Sequence, residues 1–431
     1  MKKSLIILIG LLFAGCGGEG GSVTEVLPAV VSQVDVPANA TTLPLLVVQV
    51  EFNDQAFSSS TLTWYQKIFG AANGQLNHYF KEISQNSFVF IQAQEDHYSI
   101  NDGFIKVHLN TNHPDTGFYF FENIAIPALT LADEFVDFGA YDTNTNGKID
   151  IDELQIMFLV AGGEESTGIH PSIWAHKFCI NGVSLDSVSV MQCSNGSYTA
   201  FGEQHFNIRA DASIGIIAHE LGHGAFYLPD LYDTTPSPSS DSEGIGAFGL
   251  MGAGSWGYLP GQTPGVTPVH MSAWSKIQTN FVTPTVVSID TTNFSLDASE
   301  LASYKPLRIN TQDPNEYFLV ENRSNLGYDA GLYMLDNTTF EGGLAIWHID
   351  ETQIGNTNVN QKLVDLEEAD AKVLDIAGNR GGQSNLFKTN NNVFTKDSTV
   401  SNSDLYSGVD TNVSVTNVSA PGSSMFIDLA F

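Results

Sequence analysis

The chain has 431 residues, of which 17 are Lys or Arg and 48 are Asp or Glu, so its formal net charge is −31. Such an acidic chain lacks the basic clusters that bind nucleic acid or anionic lipid headgroups, and we expect no nucleic-acid partner. Apolar residues make up 42% of the chain, which is enough for a sizeable core and excludes a wholly disordered protein. The length predicts two or three domains, and the excess of carboxylates suits a protein that binds divalent cations.

The first fifteen residues have the pattern of a signal peptide. Two lysines precede an apolar run from Leu5 to Ala14, which is too short to span a bilayer. The run ends in LFAGC, which resembles a bacterial lipoprotein signal whose cysteine, here Cys16, is lipidated and becomes the new N-terminus. We predict a lipoprotein signal peptide at 1–15 and a flexible tether at 16–42, with a plain signal peptide as the alternative. The expected product is exported and attached to a cell-envelope membrane by its N-terminal lipid only; an outer-membrane or cell-surface location stays open.

Helical and strand patterns alternate up to about residue 285 and then give way to short alternating runs. The first strand is nearly continuous in apolar residues, as expected for a strand buried on both faces. The predicted elements are strands within 43–52, 87–92 and 154–160, one or two helices over 61–85 with a break near 70–74, and helices over 123–138 and 212–227. We therefore predict an α+β protein, with a mixed domain over 43–285 and an antiparallel β-rich, sandwich-like domain over 286–431.

Residues 142–153 have the spacing of a calcium-binding loop. Oxygen-bearing side chains fall at the ligand positions of the twelve-residue loop, and Gly147 allows its sharp turn. The predicted ligands are Asp142, Asn144, Asn146, Asp150 and Glu153 through their side chains and Lys148 through its backbone carbonyl. Because a strand and not a helix follows, we predict a structural calcium loop rather than a full EF-hand. An Asn-Gly hairpin turn with incidental acidic residues is the alternative.

Two cysteines remain once Cys16 is assigned to lipid. An even pair in an exported chain predicts one disulfide bond, between Cys179 and Cys193, closing a short loop. Two buried free thiols are the alternative.

The sequence HELGH at 219–223 lies in the most regular predicted helix. Side chains four residues apart share a helix face, so the imidazoles of His219 and His223 can bind one zinc ion. Glu220 is one residue round the helix, where its carboxylate can take a proton from water. A third ligand is still needed, and Asp230 and Asp233 follow soon after the helix.

Residues 219–233, HELGHGAFYLPDLYD, resemble the zinc segment of the immune inhibitor A-like family of secreted bacterial metalloproteases, which are metzincin-like. Other segments similar to the family are LPLLVVQVEFND (43–54), the region 142–150 with GGEE (162–165), IWAH (173–176), GLMGAGSW (249–256), EYFLVENR (316–323) and GLAIWHID (343–350). The family usually has a glycine three residues and an aspartate six residues after the second histidine. Here Phe226 replaces the glycine and Asp230 comes seven residues after His223, so the turn carries one extra residue.

The resemblance implies a metzincin-like catalytic domain over 43–285. It also implies His219 and His223 as zinc ligands, Glu220 as general base, Asp230 as third ligand with Asp233 as its rival, and Met251 beneath the metal. Of the other histidines, we expect His170, His205 and His270 in loops or at the surface, and His348 packed or paired in a strand. We expect His176 to be buried and hydrogen-bonded, with a position near the cleft as the alternative.

These observations predict an exported, lipid-anchored zinc endopeptidase that hydrolyses peptide bonds in proteins or peptides. Zinc is the expected catalytic cofactor, calcium the expected structural one, and the protein is expected to be a monomer. The alternative is a catalytically inactive surface-binding lipoprotein with a protease-like fold. Glu220 discriminates between the two, because inactive relatives of such enzymes commonly lose it. A zinc hydrolase acting on non-peptide amides or esters is a more distant alternative.

Overall fold

The computed structural model describes residues 34–115, 120–236, 242–389 and 392–431. The predicted signal peptide, Cys16 and most of the tether lie outside the described residues. Within those ranges, no helix has both the length and the apolar character needed to cross a membrane. The elements up to residue 278 are, in order, β1 (Thr41–Phe52), α1 (Thr61–Phe69), α2 (Leu76–Ile83), β2 (Phe88–Gln92), β3 (Phe104–Leu109), α3 (Ile126–Ala132), β4 (Gln155–Glu164), β5 (Ser172–Ile173), β6 (His176–Phe178), β7 (Ser184–Leu185), β8 (Val188–Ser189), β9 (Tyr198–His205), β10 (Ala210–Asp211), α4 (Ile214–Phe226) and α5 (Ala273–Gln278).

The larger sheet has the strand order β10-β9-β4-β1-β2, with β3 paired to β1, β5 to β4 and β6 to β9. Strand β1 pairs in parallel with β4 on one side and with β2 and then β3 on the other. Leu45 and Val47 of β1 enter the core that contains α1, α2 and α4, whereas Val48 and Val50 enter the core that contains α3. Burial on both faces explains the continuous apolar sequence of this strand.

The helix predicted over 123–138 is wrong in its extent. A π-helical turn at Phe121–Ala125 precedes α3, which ends at Ala132. Asp137 has an extended conformation and its side chain accepts the N–H of Ala140, so a separate 3-10 turn begins at Phe138. The local hydrogen bond of the Asp137 side chain therefore starts a separate turn beyond the end of α3.

The C-terminal part is built mainly from antiparallel strands. They are β11 (Thr285–Val286), β12 (Thr291–Asp297), β13 (Leu307–Asn310), β14 (Glu316–Arg323), β15 (Gly343–Asp350), β16 (Val364–Leu366), β17 (Ser414–Thr416) and β18 (Ser424–Ala430). One sheet has the order β11-β13-β14-β15-β16 and the other β12-β18-β17. Phe318 and Ile346 of the first sheet share a buried cluster with Met425 and Ile427 of the second, so the two sheets pack face to face.

The opposite face of the five-stranded sheet packs against the N-terminal part. Leu319 and Trp347 belong to the same buried cluster as Leu221 of α4. The helix that carries HELGH and the β-rich part therefore share one continuous core. At the level of a mixed α/β part followed by a β-rich part, the predicted fold class is confirmed.

Candidate metal centre

Helix α4 places the HELGH sequence in the middle of the protein. Its residues from Ile214 to Gly222 are all buried, because the helix packs between the larger sheet and the turn that contains Met251. The helix ends at Phe226, where Tyr227 adopts a left-handed conformation with φ 55° and donates its N–H to carbonyls of the last turn. Pro229 lies beyond this end and directs the chain back toward the histidines.

The two histidines of α4 are oriented by backbone carbonyls. Nδ1 of His219 lies 2.9 Å from the carbonyl oxygen of Leu250, and Nδ1 of His223 lies 2.6 Å from that of Leu228. Because a carbonyl can only accept, each Nδ1 carries the proton and each Nε2 presents a lone pair. The two Nε2 atoms are 3.2 Å apart. Backbone partners of this kind fix ring orientation and tautomer in metal-binding histidines.

Asp230 completes the group. Its Oδ1 lies 3.2 Å from Nε2 of His219 and 3.3 Å from Nε2 of His223. Atoms bound tetrahedrally about 2.0–2.1 Å from a zinc ion lie roughly 3.3 Å from one another, so the three atoms have the separation that zinc requires. Two nitrogen lone pairs and a carboxylate oxygen at this distance repel unless a cation or a proton lies between them. The donor set therefore fits zinc.

The competing aspartate lies elsewhere. Asp233 is buried, and its Oδ1 accepts the N–H of Thr235 at 2.9 Å. In the described part of the chain, the one group of three or more His, Cys, Asp or Glu ligand atoms close enough to share a metal is that of His219, His223 and Asp230. Burial alone would raise the pKa of Asp230, but the interactions with the two imidazoles outweigh it and hold that pKa well below its ordinary value.

Glu220 lies beside this group and is 6% exposed. Burial raises the pKa of its carboxyl to about 7, with Asp230 and Glu164 adding to the increase while His219 and the backbone N–H of Lys177 oppose it. Lys177 is the middle residue of β6, and its N–H points to Glu220, so the edge of that short strand faces the Glu220 carboxylate. A group with this pKa can both accept and release a proton near neutral pH.

Tyr232 is the tyrosine that reaches the centre. It forms a side-chain hydrogen bond with Asp230, and burial together with that carboxylate raises the pKa of its phenol. The phenol therefore stays protonated and donates to the Asp230 carboxylate. Tyr258, farther along the chain, instead donates to Asn337 at 2.8 Å.

A cleft gives solvent access to the centre. Its two adjoining chambers have volumes of about 300 and 360 Å³, and both are lined by Trp174, Ala175, His219, Glu220 and Tyr232. The first chamber is further lined by Glu164, Ile216, Glu243, Trp256 and Arg380. The second chamber is further lined by His176, Lys177, His223, Tyr227 and Asp230. Sequence reasoning missed Glu243 and Arg380 altogether, and it noticed Glu164 only as part of the family-like GGEE segment.

The remaining histidines are placed as follows. His176 is partly buried, and its ring nitrogens lie 2.7 Å from the Trp174 carbonyl and 3.3 Å from the Tyr198 hydroxyl. His348 is buried in β15 between two glutamates. The expectation that His205 is a loop or surface residue is wrong, since it lies in β9 and is fully buried. His270 does lie in a loop, the segment before α5, but this loop is fully buried at His270. Long-range packing of strand β9 and of the segment before α5 buries them.

The predicted calcium loop forms a compact turn. Asp142 accepts the N–H groups of Asn146 and Gly147, both at 2.9 Å, and Gly147 has a positive φ of 79°. Asp150 accepts the side-chain amides of Asn144 and Asn146, and Glu153 accepts the N–H of Asn144. The side chain of Lys148 points away to Ser194. The predicted ligands thus lie in one loop, held together by their own hydrogen bonds.

A disulfide bond joins Cys179 and Cys193. It closes a loop just after β6, the strand whose Lys177 N–H faces Glu220. The covalent link therefore restrains a segment next to the cleft.

Part of the chain matches a known protein family. The model described as the immune inhibitor A peptidase M6 catalytic domain matches residues 123–281. This interval contains the calcium-loop segment, β6, helix α4, Asp230 and Met251. No curated protein matches the chain.

Proposed function

Because the chain belongs to the immune inhibitor A-like family of metallopeptidases through residues 123–281, we propose that it is a zinc-dependent endopeptidase acting on proteins or peptides. The observation that carries the proposal is the convergence of His219 Nε2, His223 Nε2 and Asp230 Oδ1 to within 3.3 Å of one another. Glu220 lines the same solvent-accessible cleft. A merely structural cluster would have no need of a buried carboxylate beside it in a cleft.

We assign zinc binding to His219, His223 and Asp230. When bound there, zinc would supply Lewis acidity that polarises the scissile carbonyl and makes water more acidic. The carbonyls of Leu250 and Leu228 hold both imidazoles with Nε2 facing the centre. The hydrogen bond from Tyr232 orients the Asp230 carboxylate. Little reorganisation of these side chains is therefore needed for binding.

We assign proton transfer to Glu220. Its carboxylate takes a proton from the attacking water and later donates that proton to the amide nitrogen that leaves. Burial, which raises the pKa of Glu220 to about 7, suits both halves of this task. The N–H of Lys177 donates to the same carboxylate and limits its movement.

The walls of the cleft suit a polypeptide substrate. Trp174, Phe178 and Tyr227 lie around the second chamber and the adjoining edge of β6, and each is about half exposed. Aromatic faces of this kind bind apolar side chains and peptide groups without needing a particular sequence. We therefore propose proteins or peptides, rather than small amides or esters, as the substrates.

One pair of proteins tests the assignment. The full chain is expressed in a bacterial host as wild type and as Glu220→Gln, and zinc content and casein hydrolysis are measured for both. We expect about one zinc per chain in each, and at least a 100-fold lower rate in the variant. Glu341→Gln is the control, because Glu341 has a 67% exposed side chain in the β-rich part. Unchanged hydrolysis by Glu220→Gln would remove Glu220 from the mechanism, and an inactive wild type would favour the surface-binding alternative.

We propose that the 142–153 loop binds calcium and stabilises the catalytic part. Asp142, Asp150 and Glu153 supply hard oxygen ligands, and a cation would replace the amide hydrogen bonds that Asp150 now accepts. Calcium at 100 times its dissociation constant should stabilise the fold by about 2.7 kcal/mol. The test is the unfolding midpoint with calcium and with EGTA at constant zinc, with Asp142→Asn for comparison. A wild type that responds no more than the variant would contradict the proposal.

We also propose that Cys16 is lipidated and anchors the exported protein to the cell envelope. The support is the sequence LFAGC after a short apolar run. Mass spectrometry of the mature N-terminus should find an acylated cysteine, and Cys16→Ser should release the protein from the membrane fraction. Membrane retention of the variant would refute the anchor without affecting the peptidase assignment.

A further inference from the structure

A buried ion pair in the β-rich part lies close to the metal centre. Arg323, at the end of β14, is fully buried, and its Nε and Nη2 donate to the two carboxylate oxygens of Asp329. Asp329 is also fully buried and accepts the hydroxyl of Ser299 at 2.9 Å. An isolated charge in this place would be costly, but the two-pronged pairing satisfies both groups.

The same ion pair holds both ends of a short backbone segment, 248–250. The remaining nitrogen of the guanidinium, Nη1 of Arg323, donates to the carbonyl oxygen of Phe248. Oδ1 of Asp329 accepts the N–H of His270 at 3.0 Å, and the carbonyl of His270 accepts the N–H of Leu250 at 3.2 Å. One end of the segment is therefore bound by the arginine directly, and the other by the aspartate through His270.

The segment and its next residue in turn hold two parts of the metal centre. The carbonyl of Leu250 accepts the Nδ1–H of His219 at 2.9 Å. The carbonyl of Met251 accepts the N–H of Leu231 at 2.9 Å, and Leu231 directly follows Asp230. A displacement of this turn would therefore move one histidine ligand and the backbone beside the aspartate ligand together.

We propose that Arg323 and Asp329 are positioning residues for the metal centre, acting through the 248–251 turn. The proposal rests on the metal site assigned above. A buried ion pair adds little net stability compared with apolar side chains of the same size, but it fixes the direction of the groups that it binds. Here those groups are the backbone atoms that set the orientation of His219 and the path of the chain at Asp230. The β-rich part would thus be an integral component of the metal centre.

The first test needs no substitution. Hydrogen exchange of the amides in 248–251 is followed in the full-length wild type, with zinc and after its removal by a chelator. If the ion pair holds the turn, the protection factors of the Leu250 amide with and without zinc should agree within about threefold. Protection that appears only with zinc would show that the metal orders the turn, and the proposal would be overturned.

The second test uses Arg323→Lys, which keeps the charge but replaces the planar guanidinium by a single nitrogen and so cannot reproduce the three separate hydrogen bonds to Asp329 and Phe248. We expect zinc affinity, measured by chelator competition well below the unfolding temperature, to fall 10- to 100-fold, the usual range when a partner behind a metal ligand is lost. The absorption spectrum of the cobalt-substituted protein should also change, because the ligand geometry changes. A merely destabilising substitution would alter neither readout in the folded protein.

Lys362→Gln is the matched control. Lys362 is another buried cation of the β-rich part, and its ammonium pairs with Asp365 and Asp375 instead of with the 248–251 turn. The Lys362→Gln substitution should lower the unfolding temperature but leave the zinc affinity within about twofold of the wild-type value. Wild-type affinity in Arg323→Lys, or an equal loss in Lys362→Gln, would overturn the positioning role. A wild type that binds no zinc would instead contradict the proposed function itself.

Discussion

Met251 packs directly against Gly222, the glycine within the HELGH sequence. A Cβ atom placed on Gly222 would lie 2.6 Å from the Sδ atom of Met251, closer than real Cβ contacts come. Met251 is 1% exposed and follows Leu250, whose carbonyl orients His219. The absence of a side chain at Gly222 therefore lets the 248–251 turn approach the helix that carries both histidines.

Gly222→Ala should push Met251 away from α4. We expect a destabilisation of about 1–3 kcal/mol, the usual cost of an extra methyl group in a packed core. In a Met251→Ala background the space is open, and the same change should stabilise the fold by up to about 1 kcal/mol, because alanine favours helix over glycine. Denaturant unfolding of the four metal-free proteins measures this cycle. Equal effects in both backgrounds would show that the contact does not matter.

Asp230 and Asp233 can be distinguished by metal binding. Asp230→Asn removes a charged oxygen that lies 3.2 Å from His219 Nε2, so zinc affinity should fall by more than about 100-fold. Asp233→Asn should retain zinc, since that side chain accepts the N–H of Thr235 instead. Both variants lose one carboxylate, so each is the other's control for charge. Zinc retained by Asp230→Asn and lost by Asp233→Asn would reverse the assignment.

The central part of the metal centre could be predicted because it is local in sequence. His219, Glu220 and His223 lie on one helix, whose periodicity fixes their relative directions. The choice between Asp230 and Asp233 could not be made in this way, because it depends on the path of a turn. That path is set by Tyr227 in its left-handed conformation and by the carbonyl of Met251.

The parts that sequence reasoning missed depend on contacts between distant segments. Arg323 and Phe248 are 75 positions apart, and their hydrogen bond requires the β-rich part to pack against the 248–251 turn. The burial of His270 is likewise set by distant residues, including Glu82, whose carboxylate lies 2.9 Å from its Nε2. Periodicity and residue type carry no information on such pairs, so the burial of the loop at His270 could not be predicted.

Arg380 brings a positive charge to the cleft from the β-rich part. Its carbonyl accepts the N–H of Ala247, and its half-exposed side chain lies with Nε 3.7 Å from Glu243 Oε2. The contact with Glu243 is made through Nε, which leaves the outer guanidinium nitrogens to bind a carboxylate in the cleft. The preference of the enzyme is measured as kcat/KM for peptides with Glu near the scissile bond divided by kcat/KM for matched peptides with Gln. We predict that Arg380→Gln lowers this ratio by about 5- to 10-fold.

Lys396→Gln is the control for Arg380→Gln. The Lys396 side chain has the same 53% exposure, but it pairs with Asp410 away from the cleft. Loss of the Lys396 charge should leave the ratio unchanged, because at the cleft it alters only the long-range electrostatic field of the protein, which salt screens. If both substitutions change the ratio equally, net charge and not a cleft contact determines the preference.

His348 should make stability depend on pH in the alkaline range. It is buried in β15, with its ring nitrogens 3.2 Å from Glu316 and 3.2 Å from Glu367, and the ring of Tyr406 stacks on it. Burial alone would lower the pKa of His348, but hydrogen bonds to the two glutamates outweigh it and raise that pKa to about 9. An unfolded histidine titrates near 6.5. The protonated ring therefore stabilises the folded state fully below about pH 6.5, and this stabilisation is lost as pH rises through about 9.

The corresponding substitution is His348→Gln, which keeps hydrogen-bonding groups but carries no charge. The free energy of unfolding should be lower in the variant than in the wild type at pH 6, by on the order of 3 kcal/mol. The difference should narrow steadily toward pH 10, since the wild-type ring is then neutral as well. His108→Gln, at an exposed histidine of β3, should show no such trend. A difference that stays constant from pH 6 to pH 10 would mean that the two glutamates do not hold a proton on His348.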